Sequence, residues 1–126
     1  MGKTASLRKL IKAQLATAVG ATYHKKAPDD ATYPYKTYTL KNVSYTEERD
    51  DFDLCVDLWD RREDPKPLEE IADQIEKMLR NANLPQDDIL PTFFRENRYV
   101  LEDPDKSLQH IQLRFSVQLY EIEKEE

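Results

Sequence analysis

Residues 51–60, DFDLCVDLWD, place Phe52, Leu54, Val56 and Leu58 on one side of an extended chain and Asp51, Asp53, Cys55, Asp57 and Trp59 on the other. A strand with one apolar and one wet face belongs to an antiparallel or mixed sheet, because a parallel strand covered on both faces reads as a continuous apolar run. The wet side is not uniformly polar, since Cys55 and Trp59 share it. The same period runs from Leu108 to Ile122. Ile111, Leu113, Phe115, Val117 and Leu119 take the odd positions, and His110, Gln112, Arg114, Ser116 and Gln118 the even ones. That length exceeds the usual strand of ~5 to 6 residues. Part of it is therefore expected to project beyond its neighbour or to pair with another subunit.

Two segments have helical spacing instead. Leu7, Leu10, Ile11, Leu15, Ala18 and Val19 form one apolar face, interrupted by Gln14, with Thr4 or Ser6 as N-cap and Gly20 as terminator. Leu68, Ile71, Ala72, Ile75, Met78 and Leu79 form a second. Pro67 suits its first turn, Glu69 and Glu70 suit the positive end of the helix dipole, and Asn81 or Asn83 closes it before Pro85. Residues 35–46, rich in Thr, Tyr and Val, read as a strand. Tyr38 and Leu40 share one face while Val43 and Tyr45 share the other, which predicts a bulge near Lys41-Asn42. A loop over 84–91, bracketed by Pro85 and Pro91, precedes a strand from Thr92 to Leu101 bent around Glu96-Asn97.

The order is helix, strand, strand, helix, strand, strand (α-β-β-α-β-β). It predicts an α+β fold, with a four-stranded, mainly antiparallel sheet and two helices packed on one face. The 126 residues fit one domain, 1–126, with 123–126 frayed. With 35% of residues charged and 39% hydrophobic, the core is modest and assembly with further copies would add buried area. No run approaches the ~20 apolar residues that span a bilayer, and the N-terminus lacks the apolar stretch of a signal peptide. The expectation is a soluble chain that stays where it is made. The lone Cys55 fits a reducing compartment, and the Asn42-Val43-Ser44 sequon would then go unused.

The net charge is −6, unevenly spread: residues 1–46 carry eight Lys/Arg against two Asp, and residues 47–106 carry nine against nineteen Asp/Glu. Such asymmetry suits a head-to-tail contact between copies or a docking surface, although two ordinary solvated faces account for it more simply. Wrapping of nucleic acid is disfavoured, since that needs a continuous Lys/Arg surface along the phosphates.

No catalytic constellation emerges. His24 and His110 are far apart and lack the close pairing of zinc ligands, and Cys55 has no CxxC partner, so neither a metal nor a cofactor is expected. As a nucleophile Cys55 would need a lowered pKa, whereas Asp53 and Asp57 on its own face would raise it. Two glycines, Gly2 and Gly20, leave no loop to cradle phosphates. A binding or structural role fits better than an enzyme. Tyr23, Tyr33, Tyr35, Tyr38 and Tyr45 crowd the region around the strand at 35–46. They fill the rim of a thin core or face a subunit, since tyrosine suits both.

The run LRKLIKAQLATAVGATYHKKAPDDATYPYKTY, followed by a charged strand ending in Trp59, resembles the phage tail-completion family of tail terminators and tail-to-head joining proteins. In that family a short helix ends in Val-Gly, then come a Tyr, an Ala-Pro and a Pro-Tyr entering a strand. Here these are Val19-Gly20, Tyr23, Ala27-Pro28 and Pro34-Tyr35, with Ala21 where the family often has a second glycine. The resemblance covers nearly the whole chain. It implies a structural protein without enzymatic activity or cofactor, at the head-proximal end of a long non-contractile tail of a phage or prophage. Its implied partners are copies of itself in a ring thought to be hexameric, the tail tube protein, and a head-completion or connector protein. DNA would pass through the lumen without specific binding, and no membrane is involved. The candidate interface residues are Tyr33, Tyr35, Tyr38, Tyr45 and Trp59. Two other classes stay open, a non-viral oligomeric adaptor or inhibitor acting through its acidic face, and a small enzyme using Cys55 or a carboxylate.

Overall fold

The computed structural model describes residues 2–80, 84–85 and 88–122. The elements are α1 (Lys3–Leu15), β1 (Ala21–His24), β2 (Tyr35–Tyr45), β3 (Arg49–Asp60), α2 (Lys66–Leu79), β4 (Ile89–Leu101) and β5 (Gln109–Glu121). The strands form one sheet in the order β1-β2-β3-β5-β4, with β1 parallel to β2 and the other neighbours antiparallel. The four-stranded sheet expected from the sequence is thus extended by one short parallel strand. At four residues, β1 is too short for a period of two to show.

One face of the sheet is apolar and both helices cover it. Leu54, Val56 and Leu58 of β3 and Leu113, Phe115 and Val117 of β5 are fully buried against Leu7, Ile11 and Leu15 of α1 and Leu68, Ile75 and Leu79 of α2. Burying each such side chain stabilises the fold by ~1.5 to 3 kcal/mol, so this layer supplies most of the driving force. No helix among the described residues is long and apolar enough to cross a membrane.

Several sequence expectations need correction. β5 does not project and needs no other subunit to pair with. It is an inner strand, in register with β3 from Gln109 to Tyr120 and with β4 from His110 to Glu121. Its neighbours are simply almost as long, at 12 and 13 residues. β4 starts at Ile89, so Pro91 lies inside an edge strand, a place that tolerates a residue without an amide. Its carbonyl accepts from the Leu84 amide at 3.2 Å. Gly2 is the N-cap of α1, and no side chain caps that helix. Ser6 lies one turn in, fully buried, and its Oγ donates to Asp88 Oδ1 at 3.3 Å. Val19 is 63% exposed. The expected closure of α2 by Asn81 or Asn83, and the frayed 123–126, lie outside the described residues.

Both predicted bends are present. The β2–β3 register shifts between Asn42 and Ser44, and the β4–β5 register between Arg95 and Asn97. The second shift turns Arg95 and Arg98 toward α2, where both pair with the buried Glu76, Arg98 at 2.8 Å. Arg98 also reaches Asp73 at 2.6 Å. Glu76 sits in the apolar stripe of α2, and a buried carboxylate persists there only because it is paired.

Gly20 makes the turn from α1 into β1. Its φ is +98°, and a Cβ there would lie 2.7 Å from the Pro34 carbonyl oxygen, so no other residue fits without strain. Ala21 begins β1 with ordinary backbone, because among the described residues only Gly20 and Lys25 have positive φ. A second glycine is not required.

Candidate interaction surface

The alternation that buries one face of β3 and β5 presents the other face to solvent. At one end of this open face, strand register lines up Tyr35, Trp59 and His110 side by side across β2, β3 and β5. Their rings form a continuous row. Trp59 stacks on His110 with centroids 3.7 Å apart and 17° between planes, and Tyr35 lies 6.3 Å from Trp59 at 27°. Tyr33 sits 5.2 Å from Tyr35, and Tyr23 of β1 meets Tyr35 edge-on at 6.1 Å. Aromatic neighbours in these arrangements contribute ~0.5 to 1.5 kcal/mol beyond their buried area.

Polar contacts fix the row at both sides. The Arg61 guanidinium lies 5.2 Å over the Tyr33 ring and donates to Asp105 Oδ2 at 2.6 Å and Ser107 Oγ at 3.0 Å. It thereby ties the β4–β5 connection to the segment before β2. Asp105 is held down to about 2 by the Arg61 and Ser107 hydrogen bonds. On the row's inner flank Asp57 Oδ1 accepts from His110 Nε2 at 2.6 Å and from Gln112 Nε2 at 3.1 Å. The hydrogen therefore sits on Nε2 of His110. Burial acts to raise the Asp57 carboxyl, but these hydrogen bonds outweigh it and hold the group below the usual carboxylate range.

Cys55 lies one step further along the same face. Burial, and then the neighbouring Asp57 carboxylate, push its thiol up to about 11. The thiolate, which is the reactive form, is scarce at neutral pH. Among the described residues no cluster of His, Cys, Asp and Glu has the arrangement of a metal site.

The five residues singled out from the sequence divide into three groups. Tyr33, Tyr35 and Trp59 meet in the row. Tyr38 pairs with Val56, faces the helices and is 3% exposed, with its ring against His24 at 5.1 Å. Tyr45 is 79% exposed but lies ten residues beyond Tyr35, on the order of 30 Å along the strand. The row recruits Tyr23, His110, Asp57 and Arg61, which were not among the five. The phase of β5 did place His110 on the wet face. Its partnership with Trp59 depends on register, which one strand's pattern does not contain.

A buried lysine was also missed. Lys36 pairs with Leu58 on the core face and is 1% exposed. Its Nζ donates to the carbonyls of Ala18, Val19 and Gly20 at 3.1, 3.0 and 2.5 Å. These carbonyls follow the C-terminus of α1, where backbone acceptors lack helical partners and a cation is favoured. Burial brings the lysine down to about 8. The signal was present in the sequence, since 36 is in phase with the apolar positions 38 and 40.

β4 forms the free edge beside this face. Beyond Pro91 its outer side pairs with no strand among the described residues. It exposes Phe94 by 37%, Tyr99 by 44%, Val100 by 78% and Leu101 by 36%.

With this geometry in hand, the sequence matches the family model described as Tail completion protein gp17 over residues 5–120. The chain belongs to the gp17 family of tail-completion proteins. Membership makes it a structural protein of a phage tail and places it in the virion. The family resemblance drawn from Val19-Gly20, Ala27-Pro28 and Pro34-Tyr35 thus agrees with the family match. No curated protein matches this tail-completion chain. Its fold is similar to that of a solved chain from the virion of a native gene transfer agent particle, with a TM-score of 0.76 and 14% identity. The alignment covers 94% of this chain and 98% of the other, so the fold is shared over nearly its full extent.

Proposed function

We propose that this tail-completion protein docks on the head-proximal end of the tail tube, ends its polymerisation and presents the surface to which the head is joined, probing no DNA sequence. The observation that carries this reading is the family match over residues 5–120. The likeness of the fold to a chain from the virion of a native gene transfer agent particle is compatible with it. In this reading the protein acts as a ring, its partners being its own copies, the tube protein and a head-completion or connector protein. A subunit that caps a tube needs unlike surfaces, one to match the last tube ring and one that does not propagate it. The aromatic row on the open face offers one such surface. The net charge of −6 also suits a channel through which DNA slides without being gripped.

Electron microscopy of particles assembled without the protein tests the reading. The expected result is tails of irregular length that fail to join heads. Tails of normal length that still join heads would overturn it. The adaptor outside any virion has no structural observation of its own in its favour.

A further inference from the structure

The end of the β4 edge is acidic, the β1 side carries a basic cluster at Lys25 and Lys26 with Asp29 and Asp30 just beyond it, and both expose apolar side chains. At the β4 edge a cleft of about 470 Å³ opens beside the end of the strand, with Val100, Leu101, Leu108 and Ile111 in its lining. Glu69 of α2 and Glu102 and Asp103 after β4 supply its charge, with Lys106 as the one cation. Val100, 78% exposed, lies in that cleft on a strand whose outer side beyond Pro91 pairs with no strand among the described residues. Soluble proteins blunt such edges with charge, proline or a covering segment, and here Glu102 and Asp103 supply charge just past the strand while Val100 itself stays uncovered.

The β1 edge carries the complement. Val19, 63% exposed, precedes β1, and the exposed Lys25 and Lys26 follow it. Arg8 of α1 adds a further positive charge there, since burial first, and then Arg8 and Lys25, lower the His24 pKa. Among the described residues neither the acidic trio at the cleft nor Arg8, Lys25 and Lys26 enter an ion pair.

We infer that the β4 edge and its cleft receive the β1 side of a second copy of this chain, Val19 against Val100 and Leu101, and Lys25 and Lys26 against Glu102, Asp103 and Glu69. The contact is head-to-tail, uses surfaces on opposite edges of one sheet, and closes into a ring if the rotation between copies permits. A second copy fits better than a small molecule because the cleft opens onto unpaired strand backbone, which another protein segment satisfies. The inference rests on the ring form of the proposed function and supplies its subunit interface.

A photo-cross-linking amino acid in place of Val100 tests it, in the purified protein and in isolated tails. The expected product is an adduct between two copies, mapping to residues 19–26 of the second. Adducts mapping elsewhere on a second copy, or only to other tail proteins, overturn the inference. Lys25→Glu with Lys26→Glu should lower the adduct yield on the order of tenfold, and Glu102→Lys with Asp103→Lys in the same chain should restore it. An unchanged yield in the first variant also overturns it. The two readings fail separately. Self-adducts formed by a protein that tails do not need sink only the tail role, while tails that need the protein but yield no self-adduct sink only the interface.

Discussion

The two faces of the sheet are made by the same strands and have opposite characters. Toward the helices β3 presents Phe52, Leu54, Val56 and Leu58, each at most 4% exposed. Toward solvent it presents Asp53, Cys55, Asp57 and Trp59, all half-buried, of which Trp59 stacks on residues of β2 and β5 and Asp57 accepts hydrogen bonds from β5. The covered face tolerates any side chains that fill it, so its residues are interchangeable in kind. The open face depends on which residue stands opposite which, so its identity is carried by pairs. Stability should therefore respond to the first face and assembly to the second.

Neighbouring residues in β3 give the sharpest contrast. Leu54→Ala should cost ~2 to 5 kcal/mol, the usual loss for a fully buried leucine. Cys55→Ala, one residue on and facing the other way, should cost within about 1 kcal/mol. Chemical denaturation of the two variants measures both, and equal losses would mean that the open face is as tightly packed as the core.

Gly20→Ala should cost about 2 kcal/mol, because the residue needs a left-handed φ and the new Cβ meets the Pro34 carbonyl. The same melts, with Ala21→Gly as the control that changes little, check this. Lys36→Met asks whether the covered face needs its one buried ammonium. Leaving the three carbonyls beyond α1 without a donor should cost on the order of 2 kcal/mol near neutral pH. The pH dependence has a definite sign. The folded lysine releases its proton near pH 8 and the unfolded one near 10.5, so the unfolded chain binds more protons between them. This lysine's contribution therefore makes stability rise with pH across that window. The difference between parent and Lys36→Met, measured from pH 7 to 11, should show that rise, and a flat difference would place the charge elsewhere.

On the open face, Trp59→Ala should cost only about 1 kcal/mol in folding, since it loses stacking on Tyr35 and His110 but opens no cavity in the core. If the row is a docking surface, joining of tails to heads should fall far more than the melt suggests. Tyr45→Ser, at the exposed far end of β2, should leave folding within about 0.5 kcal/mol. Comparable joining defects in both variants would remove the distinction between the row and the rest of the strand.

Long periodic segments were legible from the sequence because their pattern is local. The alternation of 51–60 and 109–121, the stripe of α2 and both bulges can be read from one segment at a time. β1 was not legible, because ATYH is too short to repeat and its order comes from β2 alongside it. Lys36 and Glu76 were missed for another reason. Each stands in an apolar position and is justified only by groups far along the chain, the carbonyls of 18–20 for one and the arginines of β4 for the other. The candidate site was half legible. Tyr33, Tyr35 and Trp59 follow from aromatic content next to the strand, whereas Tyr38 shares the face of Leu40, a phase that puts it inside rather than at an interface. His110 and Arg61 join the site through register and a loop contact, neither of which is written in any single element.

The parallel pairing of β1 with β2 obliges the chain to return along the sheet between His24 and Tyr35. The returning segment includes Ala27, Pro28 and Ala31, which wall a shallow cleft with Tyr35, Thr37 and Trp59, and Thr37 is only 8% exposed although it belongs to the open face. That side of the face already has a roof made from its own sequence. The accessible ground for any partner is the remaining strip from Trp59 across β5 to β4. A binding partner that needs a broad flat platform finds none here, and one that lays a narrow ridge along that strip meets the aromatic row at one end.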